Sequence, residues 1–335
     1  MNERIIAPEQ NYSDEEIQLR PNQLDIFIGQ ETLKENLKIS IEAALHRQES
    51  LDHVLFAGPP GLGKTTLSNI IAEEMNSKLH ITSGPILDKG SDLAGILTSL
   101  QEGDILFIDE IHRIPRVVEE YLYSAMEDFR LDIMVESGAN AKSISLPIKP
   151  FTLVGATTKS GSLSSPLRDR FGLQFRLSHY SEAELSEIIM RSAKILDIPL
   201  EDTAASLLSS RSRGTPRIAN RILKRCRDMA QVRANGIITN EVSIKTLNML
   251  GIDDDGLDEM DRKILLCLIE KFNGGPVGLS TIGTAIAEEK DTLEEVYEPY
   301  LIQKGFIKRT PRGRMATHKA YKKLDRTMPT GSQEE

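Results

Sequence analysis

The sequence predicts an α/β domain wound around a parallel sheet, followed by a small all-α domain and a C-terminal winged helix-turn-helix. Three observations carry this. Up to about residue 180, short apolar runs of four or five residues alternate with segments of helical periodicity, the signature of strand-helix units. From 181 to 250 the strand-like runs cease and only helical spacing remains. Near the C-terminus three helical segments lead into two short strand-like runs around Pro311 and Gly313. The predicted domains are residues 1–180, 181–253 and 257–330, with an acidic, glycine-bounded linker at 251–256.

In chain order, residues 1–20 are polar, and Ile26-Phe27-Ile28-Gly29-Gln30 is an apolar segment of the kind that can close over a base. A helix follows over about 31–46, with Leu33, Leu37, Ile41 and Ala44 on one face. Val54-Leu55-Phe56-Ala57 reads as a buried strand, and Leu67, Ile70, Ile71 and Met75 as a helix. Between them lies Gly58-Pro59-Pro60-Gly61-Leu62-Gly63-Lys64-Thr65-Thr66. Strand, glycine loop and helix is the setting that makes G-x-x-x-x-G-K-[ST] a phosphate site. Gly61 and Gly63 let backbone N–H groups face phosphate oxygens, and the helix N-terminus adds partial positive charge. Lys64 would neutralise the β- and γ-phosphates, and the Thr65 hydroxyl would ligate Mg²⁺.

A second strand is expected at 79–82, and a third apolar run ends in Asp109-Glu110. Ligands gather at the carboxyl ends of such strands. There Asp109 would hold Mg²⁺ and Glu110 would polarise a water as general base. A helix is expected at 117–129, then a β-hairpin over 130–148. Leu131, Ile133 and Val135 alternate out, Gly138-Ala139-Asn140-Ala141 turns, and Ile144, Leu146 and Ile148 alternate back. Such an insertion is either a packed flap or a partner-docking element. The strand 151–158 ends in Thr158, placed to bond a γ-phosphate or the lytic water. Arg168 and Arg170 precede the last strand of the sheet, 173–177. Ser181-Glu182-Ala183-Glu184 is a capping box that opens the helical region. Later, Pro216 in Gly214-Thr215-Pro216-Arg217 sets Arg217 at a helix start.

Composition narrows the function classes. Charged residues make up 27% and no apolar run approaches 18 residues, so no membrane span is expected. The N-terminus lacks a signal-peptide apolar region, and Cys226 and Cys267 have no metal-ligand spacing; both features suit a reducing cytoplasm. The net charge of −9 opposes non-specific nucleic-acid binding by the whole surface, yet residues 304–326 hold nine Lys/Arg and one acid. Arg309, Arg312 and Arg314 at the wing would attract phosphates. Tryptophan is absent and aromatics are few, which argues against extensive base stacking.

The set Gly58–Thr66, Asp109-Glu110, Thr157-Thr158, Arg170 and Gly214-Thr215-Pro216-Arg217 resembles the AAA+ ATPases. More narrowly, and over almost the whole chain, the sequence resembles the RuvB family of bacterial Holliday junction branch-migration motors. The carrying segments add Arg20-Pro21, Gly155-Ala156-Thr157-Thr158 and the wing with Gly313 between Arg312 and Arg314. The resemblance implies ATP and Mg²⁺ as cofactors. It makes Thr158 the first sensor, Arg170 the arginine finger acting on the next subunit, and Arg217 the second sensor. It places Leu19, Arg20 and Ile28 on the adenine side, and Glu127, Asp128, Phe129 and Tyr180 at nucleotide-contacting positions. It implies a homohexamer around double-stranded DNA at Holliday junctions, serving recombination and repair. The 130–148 hairpin would dock on the junction-recognition subunit RuvA, with the nuclease RuvC in a larger complex. Arg309 and Arg314 match wing positions that contact DNA. Two readings compete: a clamp loader or other remodelling ATPase, and a nucleotide-responsive winged-helix regulator.

Overall fold

The structure, a computed structural model, describes residues 19–134 and 143–328. The polar residues 1–18, Val135 and the expected turn at 138–141 lie outside the described residues. The chain divides into two compact units, residues 1–180 and 181–335.

In the first unit, five strands form one parallel sheet: β1 (Val54–Ala57), β2 (Leu79–Ser83), β3 (Ile105–Asp109), β6 (Thr152–Thr157) and β7 (Leu173–Arg176), in the order β2-β3-β6-β1-β7. The strands are parallel because each is returned by a helical or turn crossover. β1 lies between β6 and β7, with Val54 opposite Val154 on one side and Leu173 on the other. The loop after β1 therefore leaves the middle of the sheet's carboxyl edge. The inner strands β1, β3 and β6 are buried on both faces and read as apolar runs, with Phe56 and Phe107 fully buried, whereas the edge strand β7 alternates. Leu67, Ile70 and Ile71 of the helix Lys64–Glu74 are also fully buried, each worth about 1.5–3 kcal/mol of transfer energy. That packing holds the start of this helix rigidly beneath the glycine loop.

The antiparallel pair β4 (Arg130–Met134) and β5 (Ser143–Pro147) stands apart from the main sheet. Leu131 and Ile148 at its base are in the core, whereas Ile144 and Leu146 are 47% and 38% exposed. The hairpin is thus anchored at its root and apolar further out.

The second unit begins with the helices Glu182–Ile195, Asp202–Ser210, Pro216–Arg233 and Asn240–Met249. Ser181 and Glu184 cap the first reciprocally: the Ser181 hydroxyl accepts from Glu184 N–H at 3.2 Å, and Ser181 N–H donates to the Glu184 carboxylate at 2.7 Å. The helices Glu259–Leu266, Leu279–Ile286 and Glu298–Gln303, with the hairpin of β8 (Ile307–Thr310) and β9 (Gly313–Ala316), share one core with Leu265, Leu268, Leu301 and Phe306 at its centre. Val277 adds a third short edge, exchanging hydrogen bonds with Arg314 at 3.0 and 2.7 Å. Gly313 permits that approach: it sits at φ +139°, and a Cβ there would lie 2.5 Å from the Val277 backbone.

The acidic 251–256 segment is fastened within this unit. Asp253 Oδ1 accepts from the N–H groups of Asp255 and Leu257, Tyr300 donates its hydroxyl to the Asp255 carbonyl at 2.6 Å, and Lys323 pairs with both carboxylates. Its charges do structural work that a bare tether would not need.

Candidate functional site

The glycine loop leaves β1 with three residues at positive φ: Gly58 at +152°, Gly61 at +82° and Gly63 at +104°. A side chain has no room at Gly58 and would crowd its neighbour at Gly63. A Cβ on Gly58 would lie 2.8 Å from the Leu177 carbonyl oxygen, and one on Gly63 would lie 3.3 Å from the Phe27 ring. Lys64 is 7% exposed and donates to the carbonyls of Gly58 (2.7 Å) and Pro59 (2.9 Å). An ammonium so satisfied is held over the loop, where an incoming phosphate can take over its hydrogen bonds. Thr65 and Thr66 follow in the first turn, which is clamped by bonds from Ser68 to the Lys64 carbonyl and from Asn69 to the Thr65 carbonyl.

Next to the loop, β3 ends in Asp109 with Glu110 following it, and β6 runs out into Thr158. Glu110 sits in the left-handed region at φ +48°, its N–H bonded to Asp109 Oδ1 at 3.0 Å. Gly84 allows this turn, since a Cβ there would meet the Glu110 carbonyl oxygen at 2.4 Å. Thr158 donates its hydroxyl to Glu110 Oε2 at 3.1 Å. His112 Nδ1 lies 3.2 Å from that same oxygen and 2.9 Å from the Thr157 hydroxyl. The ends of β3 and β6 are therefore joined by side chains directly beside the phosphate loop.

The strap before the first helix closes the other side. Leu19 and Phe27 are buried, and Arg20 and Ile28 half-buried. Tyr180 donates its hydroxyl to the Leu62 carbonyl at 3.1 Å. Gln30 brackets Ser178 with two hydrogen bonds, 2.7 Å to its carbonyl and 3.2 Å from its N–H, tying the strap to the segment beyond β7. The resemblance points to Ile28 on this strap, and the neighbouring Phe27 brings its ring against the glycine loop.

Arg170 stands three residues before β7, whereas the phosphate loop follows β1. These strands are parallel and in register, so Arg170 sits at the opposite edge of the sheet from its own phosphate loop. Its guanidinium reaches the Pro166 carbonyl at 2.6 Å and Glu127 at 3.0 Å, and lies 4.5 Å from the Tyr123 ring centroid. Tyr123 donates in turn to Glu119 at 2.6 Å; burial, reinforced by Glu119, raises its hydroxyl pKa and keeps it a donor. Asp128 ends the same helix in a 3.1 Å pair with Arg130, and Phe129 caps it in the left-handed region. Arg170, Glu127, Asp128 and Phe129 thus cluster away from the glycine loop of their own chain.

In the second unit Arg217 is exposed in the first turn of Pro216–Arg233. On the wing, Arg309 and Arg312 are exposed. Arg314 differs. Its guanidinium grips Glu298 with two bonds, 2.7 and 3.0 Å, and both side chains are nearly buried. A bidentate pair so enclosed is a structural clamp. The sequence shows the basic cluster but not the acid 16 residues away that claims this arginine.

Three family models match in succession: the Holliday junction DNA helicase RuvB P-loop domain over residues 19–177, the RuvB AAA lid domain over 180–253, and the RuvB C-terminal winged helix domain over 254–325. The Holliday junction branch migration complex subunit RuvB of Prosthecochloris aestuarii is 60% identical over 314 residues, 94% of this chain and 92% of that one. The Thermotoga maritima subunit of the same name is 57% identical over 326 residues, 97% and 98% of the two chains. The solved Thermotoga maritima RuvB Holliday junction branch migration motor superposes with a TM-score of 0.85 at 56% identity, covering 93% of this chain and all of that one. Its K64R mutant superposes at 0.87 with 56% identity, covering 93% and 99%.

Proposed function

The chain belongs to the RuvB family, the ATP-driven motors of Holliday junction branch migration, and from that premise we propose what each part of it does. Membership across all three parts displaces the clamp-loader and regulator readings. ATP lies along the 58–66 loop with its phosphates on the backbone N–H groups, and Lys64 exchanges the Gly58 and Pro59 carbonyls for β- and γ-phosphate oxygens. Leu19, Arg20, Phe27, Ile28 and Tyr180 enclose the base end.

Thr65 and Asp109 offer a hydroxyl and a carboxylate, an all-oxygen donor set that suits Mg²⁺ shared with substrate phosphates. The bound ion supplies charge neutralisation on the phosphates. Glu110 takes a proton from the attacking water while Thr158 orients the carboxylate and the γ-phosphate end. Arg170, held on Glu127 and Tyr123, reaches the γ-phosphate on the next subunit, where a positive charge is worth ~10³–10⁵ in rate. Arg217 links the nucleotide to the helical region. We propose a homohexamer around duplex DNA, in which the wing holds phosphates through Arg309 and Arg312 without reading bases. The apolar outer part of the β4-β5 hairpin carries RuvA, and RuvC joins the larger assembly.

The single observation that supports this best is the Thr158–Glu110 contact, a hydroxyl bonded to a carboxylate beside the glycine loop. Glu110→Gln tests it. The variant should bind ATP with little change yet hydrolyse it ~10²–10⁴-fold more slowly and drive no branch migration. Turnover at the wild-type rate would remove Glu110 from the base role.

A further inference from the structure

Behind Glu110 stands a side chain with no part in the mechanism above. His112 lies in the short helical turn Ile111–Arg113 immediately after Glu110, and its side chain is only 7% exposed. Nδ1 faces two oxygens at once, Glu110 Oε2 at 3.2 Å and the Thr157 hydroxyl at 2.9 Å. The Thr157 hydroxyl is itself fixed, accepting the Lys159 N–H at 3.0 Å, and Thr157 is fully buried. Adjacent to it, Thr158 donates to the same Glu110 oxygen. The contacts close a ring: Thr158 to Glu110 to His112 to Thr157, and back to Thr158 through the β6 backbone.

The Glu110 carboxylate favours the tautomer with its proton on Nδ1. A bare Nδ1 lone pair would face a carboxylate oxygen's lone pairs across 3.2 Å, a repulsive arrangement, whereas an Nδ1–H has two acceptors in reach. With the proton on Nδ1, His112 donates to Glu110 Oε2, which then has two donors, the imidazole and the Thr158 hydroxyl. The carboxylate is then aimed by β6 as well as by its own turn. A change at Thr158, where the γ-phosphate is sensed, is passed to the base from two sides.

We propose that His112 is the positioning residue of the general base: its Nδ1–H couples the Glu110 carboxylate to Thr157 on β6, and so to the phosphate sensor Thr158. This rests on the reading of Glu110 as the base. It predicts a pattern that a purely structural histidine would not give. Asparagine can place its amide N–H where Nδ1 lies, whereas glutamine reaches toward the Nε2 position and alanine reaches neither.

The test measures ATP turnover and binding of a fluorescent ATP analogue by the full-length protein, for wild type, Glu110→Gln, His112→Ala, His112→Gln, His112→Asn and Thr157→Val. His112→Ala and His112→Gln should lose ~10–100-fold in kcat with analogue affinity within about threefold of wild type, and His112→Asn should keep kcat within about threefold. Thr157→Val should slow the wild type but add little to His112→Ala, since both cut the same contact. Wild-type turnover by His112→Ala or His112→Gln, or an Asn variant as slow as the Ala variant, overturns the proposal. So does full additivity of Thr157→Val with His112→Ala. Glu110→Gln separates the two failures. If it is inactive while His112→Ala is not, the coupling alone is wrong. If it turns over normally, the base assignment falls and the coupling with it.

Discussion

Arg312 and Arg314 lie two residues apart on one wing, yet their surroundings differ. Arg312 and Arg309 project into solvent, while Arg314 is clamped on a Glu298 that is 4% exposed. Removing Arg314 strands a carboxylate in the wing core, so Arg314→Ala should destabilise the fold by roughly 3–5 kcal/mol in a urea titration. Arg309→Ala and Arg312→Ala should leave the urea midpoint almost unmoved. Each should lower the slope of log affinity for duplex DNA against log salt by about 1, equally for any sequence. This is also where sequence reasoning runs out. The glycine loop and Asp109-Glu110 are legible because their chemistry is local, a few residues in a row beside an apolar run. The Arg314 clamp, the Arg170–Glu127 pair and the His112 ring depend on side chains brought together from different elements, and no local pattern marks them.

Among elements, the turn before the helix Pro216–Arg233 joins the helical region to the winged one. Arg213 and Gly214, both at positive φ, carry the chain into it. The Arg213 guanidinium bonds the Gly256 carbonyl at 3.0 Å, pairs with Asp258 at 2.8 Å and Asp261 at 2.5 Å, and lies 5.0 Å from the Tyr300 ring centroid. Arg217 lies four residues further on, in the first turn of that helix, so the two arginines share one short stretch of backbone. Burial pushes the Asp261 carboxyl up to about 7 against the opposing pull of Arg213, with Asp258 adding to the rise. Between about pH 4 and pH 7 the folded protein thus binds a proton that the unfolded chain does not, and this contribution to stability falls as pH rises. Arg213→Ala should therefore destabilise more at pH 8, where an ionised Asp261 has lost its partner, than at pH 5, where the carboxyl can stay protonated; urea midpoints at the two pH values measure it. Sequence periodicity gives these helices readily, but it presents the acidic 251–256 run as a linker. The structure shows why that is incomplete: Lys323, Tyr300 and backbone N–H groups satisfy its acids and carbonyls.

The hairpin belongs to the same scale. Ile144 and Leu146 are held out on a root packed by Leu131 and Ile148, which favours docking over a closed flap. Ile144→Ser with Leu146→Ser should weaken RuvA binding at least ~10-fold by titration calorimetry, since two apolar anchors lose roughly 1–2 kcal/mol each.

For the molecule as a whole, the parallel sheet β2-β3-β6-β1-β7 sets which residues lie at which of its edges. The glycine loop, Glu110 and Thr158 leave one edge of the parallel sheet, while Arg170 with Glu127 sits before the start of β7 at the other. A chain so built displays the phosphate loop on one side and Arg170 on the other, and in the proposed ring copies arranged head to tail would complete one another's sites. The alternation of strands and helices made the sheet legible in the sequence, and the resemblance pointed to Arg170, but the opposite placement of Arg170 and the phosphate loop needed the parallel register of β1 and β7. Subunit mixing tests the shared site most directly. Lys64→Ala subunits have an intact Arg170 but no working phosphate loop, and Arg170→Ala subunits have the reverse. Each alone should be nearly inactive, and the mixed population should hydrolyse ATP well above either parent. Mixed rings no more active than the parents would contradict a site completed by the neighbouring subunit.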